Sequence, residues 1–151
     1  MPPLREHLIR VGNELRGEGG AGVLAERIRL RLGARDVVDS IRNPAEVAVL
    51  RALPHFVLVG VRAAADVRFA RSRLRAREGD PATLAEFEAR ERQENGDVPT
   101  AQRLSATFAL ADEVLENDGD LEQLHRRVER LLARHLGPAF RVDRRRDAPI
   151  E

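Results

Sequence analysis

The sequence predicts an α/β fold in which helices cover a short parallel sheet. The continuous apolar run at residues 56–61 has the β-branched composition of a strand that is buried on both faces. Two shorter apolar pairs, Val37 with Val38 and Val114 with Leu115, are separated from it by segments with helical spacing. Short apolar strands that alternate with helices are typical of a parallel sheet. Three strands are few for a sheet with helices on both faces.

The first third of the chain predicts two helices, a strand and a third helix. Apolar residues at helical spacing predict a helix over 3–16, which the glycines of 17–22 end, and another from 23 to Gly33. A short buried strand at Val37 and Val38 is expected to end at Asp39. Pro44 favours the first turn of the next helix, which Pro54 ends.

The rest of the chain predicts two strands and four helices. The strands are expected at 56–61 and within 113–116, and the helices at 65–78, 81–95, 99–111 and 121–136. Residues 1–136 are therefore expected to form a single domain. Residues 137–151 are rich in proline and charge, which predicts a mobile tail.

The composition excludes several kinds of chemistry. All 26 basic residues are arginine, so a Schiff-base lysine, a lysine general base and a P-loop lysine are excluded. Cysteine is absent, which excludes thiol nucleophiles and cysteine–zinc sites. Tryptophan and tyrosine are absent and phenylalanine occurs five times, which argues against a base-stacking surface for nucleic acid.

The distribution of apolar residues predicts a cytoplasmic protein with no membrane partner. Residues 1–10 carry charges every few positions and lack the apolar stretch of a signal peptide. The run at 56–61 is the longest apolar run, and it is far too short to span a bilayer.

A carboxylate and an arginine follow the predicted strand at Val37 and Val38. Asp39 would lie at the carboxyl end of a parallel strand, where α/β sheets bind ligands, and Arg42 follows three residues later. In a phosphotransferase, Asp39 would hold or orient magnesium and the acceptor, and Arg42 would bind the acceptor's phosphate. The same spacing also suits an aspartate that caps a turn beside a surface arginine.

An arginine-rich stretch predicts a phosphate clamp. Six arginines within 62–77 face a single acid, Asp66, and guanidinium groups match phosphate oxygens bidentately. Arginines also stand on both sides of the turn at 79–81, and two helices joined there could close over a charged ligand. The alternative is a solvated helix face with ordinary ion pairs between residues four apart.

The turn at 117–119 separates the predicted strand at 113–116 from the last helix. Its Asn-Asp-Gly sequence suits turn geometry without any function. The functional alternative is that its backbone contacts the base of a ligand lying at the edge of the sheet.

Four segments together resemble the P-loop nucleotide kinases, specifically the group of dephospho-CoA kinase-like and deoxynucleoside monophosphate kinase-like proteins. Residues 11–16 resemble the acceptor-side helix, and 39–46 resemble that group's Asp-x-x-Arg-x-Pro-x-Glu stretch. Residues 73–77, with Arg90 and Gln93, resemble the lid and its flanking helices. Residues 111–119 are similar to the last strand and the adenine-side loop.

The resemblance implies a three-layer α/β/α P-loop NTPase-like fold and ATP-dependent phosphoryl transfer to a nucleotide-type acceptor, with ATP and Mg²⁺ as cofactors. It implies a lid at about 75–95 with catalytic arginines, an aspartate that is catalytic and metal-binding, arginines that bind the acceptor, and a loop beside the adenine. The catalytic lid arginines would be Arg75 and Arg77, and the catalytic and metal-binding aspartate would be Asp39. The arginines that bind the acceptor would be Arg42, Arg16 and Arg90, and the loop beside the adenine would contribute Asn117 and Gly119.

The chain departs from this family's pattern at its start. The family begins with a strand, Gly-x-x-x-x-Gly-Lys-Ser/Thr and a helix, whereas here nothing precedes the acceptor-side helix and no lysine occurs. We therefore expect a kinase-like fold without its first βα unit, through a late start, a truncated gene or genuine loss, and a chain inactive by itself. Unpaired sheet edges would then favour a homo-oligomer. The alternative is a non-catalytic nucleotide-binding or assembly module.

Overall fold

The computed structural model describes residues 5–75, 80–94 and 103–137. In these residues, helices alternate with two short strands. The elements in the first half are α1 (Arg5–Gly19), α2 (Val23–Arg29), α3 (Pro44–Leu50) and β1 (Val59–Arg62). The elements in the second half are α4 (Ala65–Arg75), α5 (Leu84–Glu94), α6 (Leu104–Phe108), β2 (Glu113–Glu116) and α7 (Leu121–Leu136).

The strands β1 and β2 form a parallel pair, which confirms the predicted α/β class with a short parallel sheet. Val59 lies opposite Glu113 and Arg62 lies opposite Glu116. Parallel strands need a crossover connection, and α4, α5 and α6 lie on the chain between them. The pair continues past its ends, because the Asn117 N–H donates to the Arg62 carbonyl.

Local sequence signals explain where the helices begin and end. Asn43 caps α3: its side chain accepts from the Ala45 N–H, while Glu46 completes a capping box and Pro44 occupies the first turn. α1 runs three residues beyond its predicted end, as far as Gly19, because the first glycine with a left-handed backbone is Gly20, at φ +86°.

The predicted strand at Val37 and Val38 is wrong. No strand is found in residues 33–43, and Val37 is 95% exposed. Ser40 has a left-handed φ of 65°, so the chain turns directly after Asp39 instead of staying extended. Two β-branched residues form a strand only when a neighbouring strand pairs with them, and the described sheet contains only β1 and β2.

The predicted bounds of other elements also change. α3 ends at Leu50 rather than at Pro54, and α6 ends at Phe108 rather than at 111, while its predicted start at Pro99 lies outside the described residues. β1 covers 59–62 rather than 56–61, α2 ends at Arg29 rather than near Gly33, and α5 begins at Leu84 rather than near Pro81. β2 and α7 have the predicted bounds. The predicted tail lies outside the described residues except for Gly137.

The buried apolar residues connect the strands to the helices. Val47 and Leu50 on α3 are each 1% exposed, and Leu58, Leu115 and Leu131 are also buried. On the strands, Val61 and Val114 keep about half of their surface exposed, at 54% and 43%. Self-association through the sheet stays a prediction.

Candidate phosphate-binding site

A concave site lies between α4 and α5. Its volume is about 140 Å³, and we call it the arginine cavity. It is lined by one hydroxyl, two arginines, two acids and two apolar residues: Ser72, Arg75, Arg90, Asp80, Glu91, Pro81 and Phe87. Ser72 and Arg75 come from α4, whereas Phe87, Arg90 and Glu91 come from α5. The site therefore depends on the packing of these two helices.

Aromatic and charged contacts hold α4 against α5. The Phe69 and Phe87 rings are 5.9 Å apart between centroids, in a tilted arrangement. The Arg68 guanidinium lies 5.6 Å from the centre of the Phe87 ring and pairs with Glu91. Glu91 is thus neutralised by a residue outside the cavity lining.

Asp80 is the other acid of the arginine cavity. Its Oδ2 lies 3.9 Å from Nη2 of Arg75, and its side chain is 17% exposed while that of Arg75 is 52% exposed. Oδ2 itself is buried, and it accepts no hydrogen bond within the described part of the chain. A buried carboxylate oxygen without a donor is costly, so this arrangement calls for a functional explanation.

The loop before α3, residues 39–43, holds two predicted site residues. Asp39 is exposed, and its Oδ1 accepts from the Ser40 N–H at 2.5 Å. Arg42 is half-buried; its N–H donates to Oε2 of Glu46 at 2.8 Å, and its carbonyl accepts from the Arg103 N–H at 2.8 Å. The backbone of Arg42 is therefore held on both sides.

Arg16 lies in a buried ion pair rather than on the surface. Its Nη2 and Nε donate to Oε1 of Glu46 at 3.0 and 3.3 Å, and Nη1 donates to Asn13 at 3.4 Å. Both members of the pair are 5% exposed. The charge of Arg16 is already neutralised by Glu46, so its predicted contact with acceptor phosphate would require Glu46 to release it.

The loop at 117–119, at the carboxyl ends of both strands, is held by α4. Arg71 donates from Nη1 to the Asn117 carbonyl at 2.6 Å and from Nη2 to the Gly119 carbonyl at 2.8 Å. Asp118 accepts from the Ala64 N–H at 2.8 Å. These contacts connect the loop predicted to lie beside an adenine with the helix that supplies Ser72 and Arg75.

Charged side chains also pair across the strand ends. At the carboxyl end, Arg62 Nε donates to Glu116 at 2.6 Å, and this hydrogen bond raises the pKa of the guanidinium. At the amino end, the Leu58 N–H donates to Asp112, which also pairs with Arg51; these contacts lower the pKa of the Asp112 carboxyl.

The structure distributes the predicted site residues over several places. Arg75 and Arg90 line the arginine cavity, whose described lining includes neither Asp39 nor Arg42. Arg77 lies outside the described residues. A single cleft shared by all of these residues stays a prediction.

Sequence reasoning missed the contacts of two residues that matter here: Asp80 was given no role, and Arg71 was only one of the six arginines of the predicted phosphate clamp. Asp80 stands in the turn between the arginine-bearing helices, but nothing in its sequence context indicates that it lies next to Arg75. Arg71 is one of several exposed arginines on α4, and only the tertiary structure shows that it donates hydrogen bonds to the loop at 117–119.

No group of three or more His, Cys, Asp and Glu side chains that could hold a metal ion occurs in residues 5–75, 80–94 and 103–137. Within the same ranges, no helix combines the length and the apolar character that crossing a membrane requires.

Fold and site together define a small α/β protein with a parallel strand pair and an arginine-lined cavity. The chain is 39% identical over 139 residues to a UPF0200 protein of Hyperthermus butylicus, an alignment that covers 89% of this chain and 72% of the relative. It is 31% identical to a UPF0200 protein of Methanoregula boonei, with 87% and 72% covered, and 30% identical to one of Thermococcus gammatolerans, with 85% and 70% covered.

The chain therefore belongs to the UPF0200 family. No protein-family model matches it. The names of these relatives state neither a ligand nor an activity, so a functional proposal has to rest on the residues themselves.

Proposed function

We propose that this chain is a nucleotide-kinase-like protein that binds the phosphate groups of a nucleotide at the arginine cavity. The observation that carries the proposal is the convergence of Arg75 and Arg90, fifteen positions apart on two helices, on one cavity of about 140 Å³. One water molecule occupies about 30 Å³ in the liquid, so the cavity has room for a phosphate group.

The chemistry of the lining favours an anionic ligand. Guanidinium groups bind phosphate oxygens bidentately, and the Ser72 hydroxyl adds a donor beside them. A cavity lined by charged groups on rigid helices holds a ligand more accurately than surface arginines on mobile loops. The three-layer P-loop NTPase-like fold implied by the resemblance is part of this proposal.

The loop at 117–119 supports the nucleotide part of the proposal. In parallel sheets, ligands bind outside the carboxyl ends of the strands, and this loop directly follows β2 at that edge. Arg71 connects the loop to α4, so a base beside the loop and phosphates near α4 would be held by a single unit of structure.

Asp39 is the residue proposed to hold magnesium together with the phosphates of ATP. Magnesium in phosphotransferases is bound by one or two carboxylates together with phosphate oxygens of the substrate. The resemblance assigns that limited role to Asp39, whose carboxylate is exposed, and the described residues provide no cage of three or more protein ligands. When bound, the ion would neutralise charge on the phosphates, and Asp39 would orient it.

We expect this chain to bind a nucleotide but not to catalyse efficient phosphoryl transfer. A P-loop lysine supplies charge stabilisation at the transferring phosphate, and this sequence contains no lysine. We therefore expect nucleotide binding without turnover at the rates usual for kinases. ATP hydrolysis or transfer to AMP at ordinary kinase rates, abolished in Asp39→Ala, would contradict this part of the proposal.

The binding experiment compares cavity arginines with a matched control. Calorimetric titration with ATP and with AMP should show binding by the wild type and about ten- to a hundredfold weaker binding by Arg75→Gln and Arg90→Gln, since a charged hydrogen bond contributes about 1.5–3 kcal/mol. Arg73→Gln removes the same charge from an exposed position on α4 and should bind as the wild type does. Equal affinities for all four proteins would overturn the proposal.

A further inference from the structure

We infer that Asp80 is a built-in competitor for the arginine cavity: its carboxylate occupies the place beside Arg75 that a phosphate would take, and it lowers the affinity of the cavity for phosphate. This inference rests on the proposed function, since it concerns the regulation of the same site. It goes further by naming the group that opposes binding.

The position of Asp80 is unusual for an ordinary ion pair. Oδ2 stands 3.9 Å from Nη2 of Arg75, beyond hydrogen-bond distance, and is buried without a donor in the described residues. An aspartate selected only to stabilise the turn would place its oxygens on donors or in water. Here Oδ2 of Asp80 lies near the Arg75 guanidinium but accepts no hydrogen bond from it, so Arg75 can still donate to a stronger acceptor.

The charges that line the cavity make Asp80 the deciding group. Arg75 and Arg90 contribute two positive charges, and Asp80 and Glu91 contribute two negative charges. Glu91 is already paired with Arg68, which lies outside the lining. Removal of the Asp80 charge would therefore make the lining beside Arg75 more positive and more attractive to a phosphate.

A phosphate would replace the carboxylate with a better partner. It presents several oxygens and more than one negative charge, and it can accept bidentate hydrogen bonds from a guanidinium. Asp80, as a monovalent carboxylate, would therefore compete less effectively against di- and triphosphates than against singly charged anions. The site would thus select for ligands of high charge.

The test measures binding of inorganic tripolyphosphate, which has no base or sugar, by calorimetry at low ionic strength. Asp80→Asn and Asp80→Ser should bind about tenfold more tightly than the wild type, a modest effect for a charge at about 4 Å when the effective dielectric constant is about 20. Asp80→Glu should stay within about twofold of the wild type, since it keeps the charge. Glu88→Gln removes one negative charge from α5 outside the cavity lining, and its affinity for tripolyphosphate should also stay within about twofold of the wild type. Far-UV circular dichroism checks that each variant is folded.

A double-mutant cycle distinguishes competition from a structural effect. With Arg75→Gln as the background, Asp80→Asn should lose most of its tightening effect, because the contact it relieves is gone. Equal affinities of the wild type and both neutral variants, with Arg75→Gln still weaker, would overturn the inference and leave the proposed function standing. Tightening that is unchanged in the Arg75→Gln background would also overturn it. No binding by any variant would overturn both.

Discussion

Arg16 on α1 and Glu46 on α3 form a buried ion pair, with Nη2 and Oε1 3.0 Å apart and both side chains 5% exposed. The second oxygen of Glu46 accepts the N–H groups of Arg42 and Asn43 at 2.8 and 3.1 Å. One carboxylate thus joins two helices and fixes the backbone of a predicted phosphate-binding arginine. Glu46 therefore positions the backbone of Arg42, while the guanidinium of Arg16 is engaged by Glu46.

Replacing Glu46 by glutamine is expected to lower the free energy of unfolding by about 3–5 kcal/mol, the range for breaking a buried ion pair. Both oxygens of Glu46 face donors, so the amide nitrogen of glutamine would meet a donor in either orientation. Urea denaturation measures the loss. Glu14→Gln removes the exposed partner of Arg10 and should cost less than about 1 kcal/mol. Equal, small losses for both variants would contradict the buried pair.

Gly60 on β1 is expected to tolerate no side chain. A Cβ at this position would lie 2.7 Å from Cε2 of Phe108 and 3.2 Å from Cβ of Ala111. Gly60→Ala should therefore destabilise the protein by about 1–3 kcal/mol through overpacking. Gly17→Ala is the control: it lies in α1 with no heavy atom within 4 Å, and the substitution should stabilise by about 0.5–1 kcal/mol. Thermal melts of both variants check the opposite signs.

Stability is expected to fall as the pH drops below the usual carboxyl range. The Leu58 N–H is the main cause that lowers the pKa of Asp112, and Arg134 and then His135 lower that of Glu113. A carboxyl whose folded pKa is lowered stabilises the fold above its unfolded pKa, and that contribution disappears as the pH falls through the folded value.

The measurement is urea denaturation at neutral pH and at about pH 3, a value below the ordinary carboxyl pKa of about 4. The wild type should lose more stability between these two conditions than Asp112→Asn does, because the variant has no carboxyl to protonate at that position. An equal loss in the two proteins would show that Asp112 is not part of the acid sensitivity.

Arg71→Gln is expected to loosen the loop at 117–119. The substitution removes both hydrogen bonds to the Asn117 and Gly119 carbonyls, so amide hydrogen exchange in this loop should become several-fold faster. If the loop lies beside a nucleotide base, affinity for ATP should fall while affinity for tripolyphosphate changes little. Arg73→Gln on the same helix should alter neither measurement. Unchanged exchange in the Arg71 variant would contradict the connection between α4 and the loop.

Several elements could be predicted from sequence because local signals mark where they begin and end. α7 has its predicted bounds, since its apolar residues follow helical spacing and Asp120 caps it by accepting from the Gln123 N–H. α3 begins at the predicted proline for the same kind of reason. β2 was recognisable from two apolar residues between acids, although the identity of its partner strand was not.

The candidate site was only partly predictable. The sequence suggested that arginines on both sides of the turn at 79–81 approach one ligand, and Arg75 and Arg90 do line one cavity. It could not show that Arg71 holds a loop 46 positions away or that Glu46 neutralises Arg16, because such contacts depend on how helices pack and not on spacing along the chain.

By itself, the sequence determined the α/β class and the helix starts at Pro44 and Leu121, because each follows from residue types and short spacings. Only the tertiary structure decided that Val37 and Val38 form no strand, since a strand exists only where another strand pairs with it. The tertiary structure likewise decided which charged side chains form ion pairs, such as Arg16 with Glu46. The position of Asp80 next to Arg75 results from the packing of α4 against α5, and no local pattern encodes that distance.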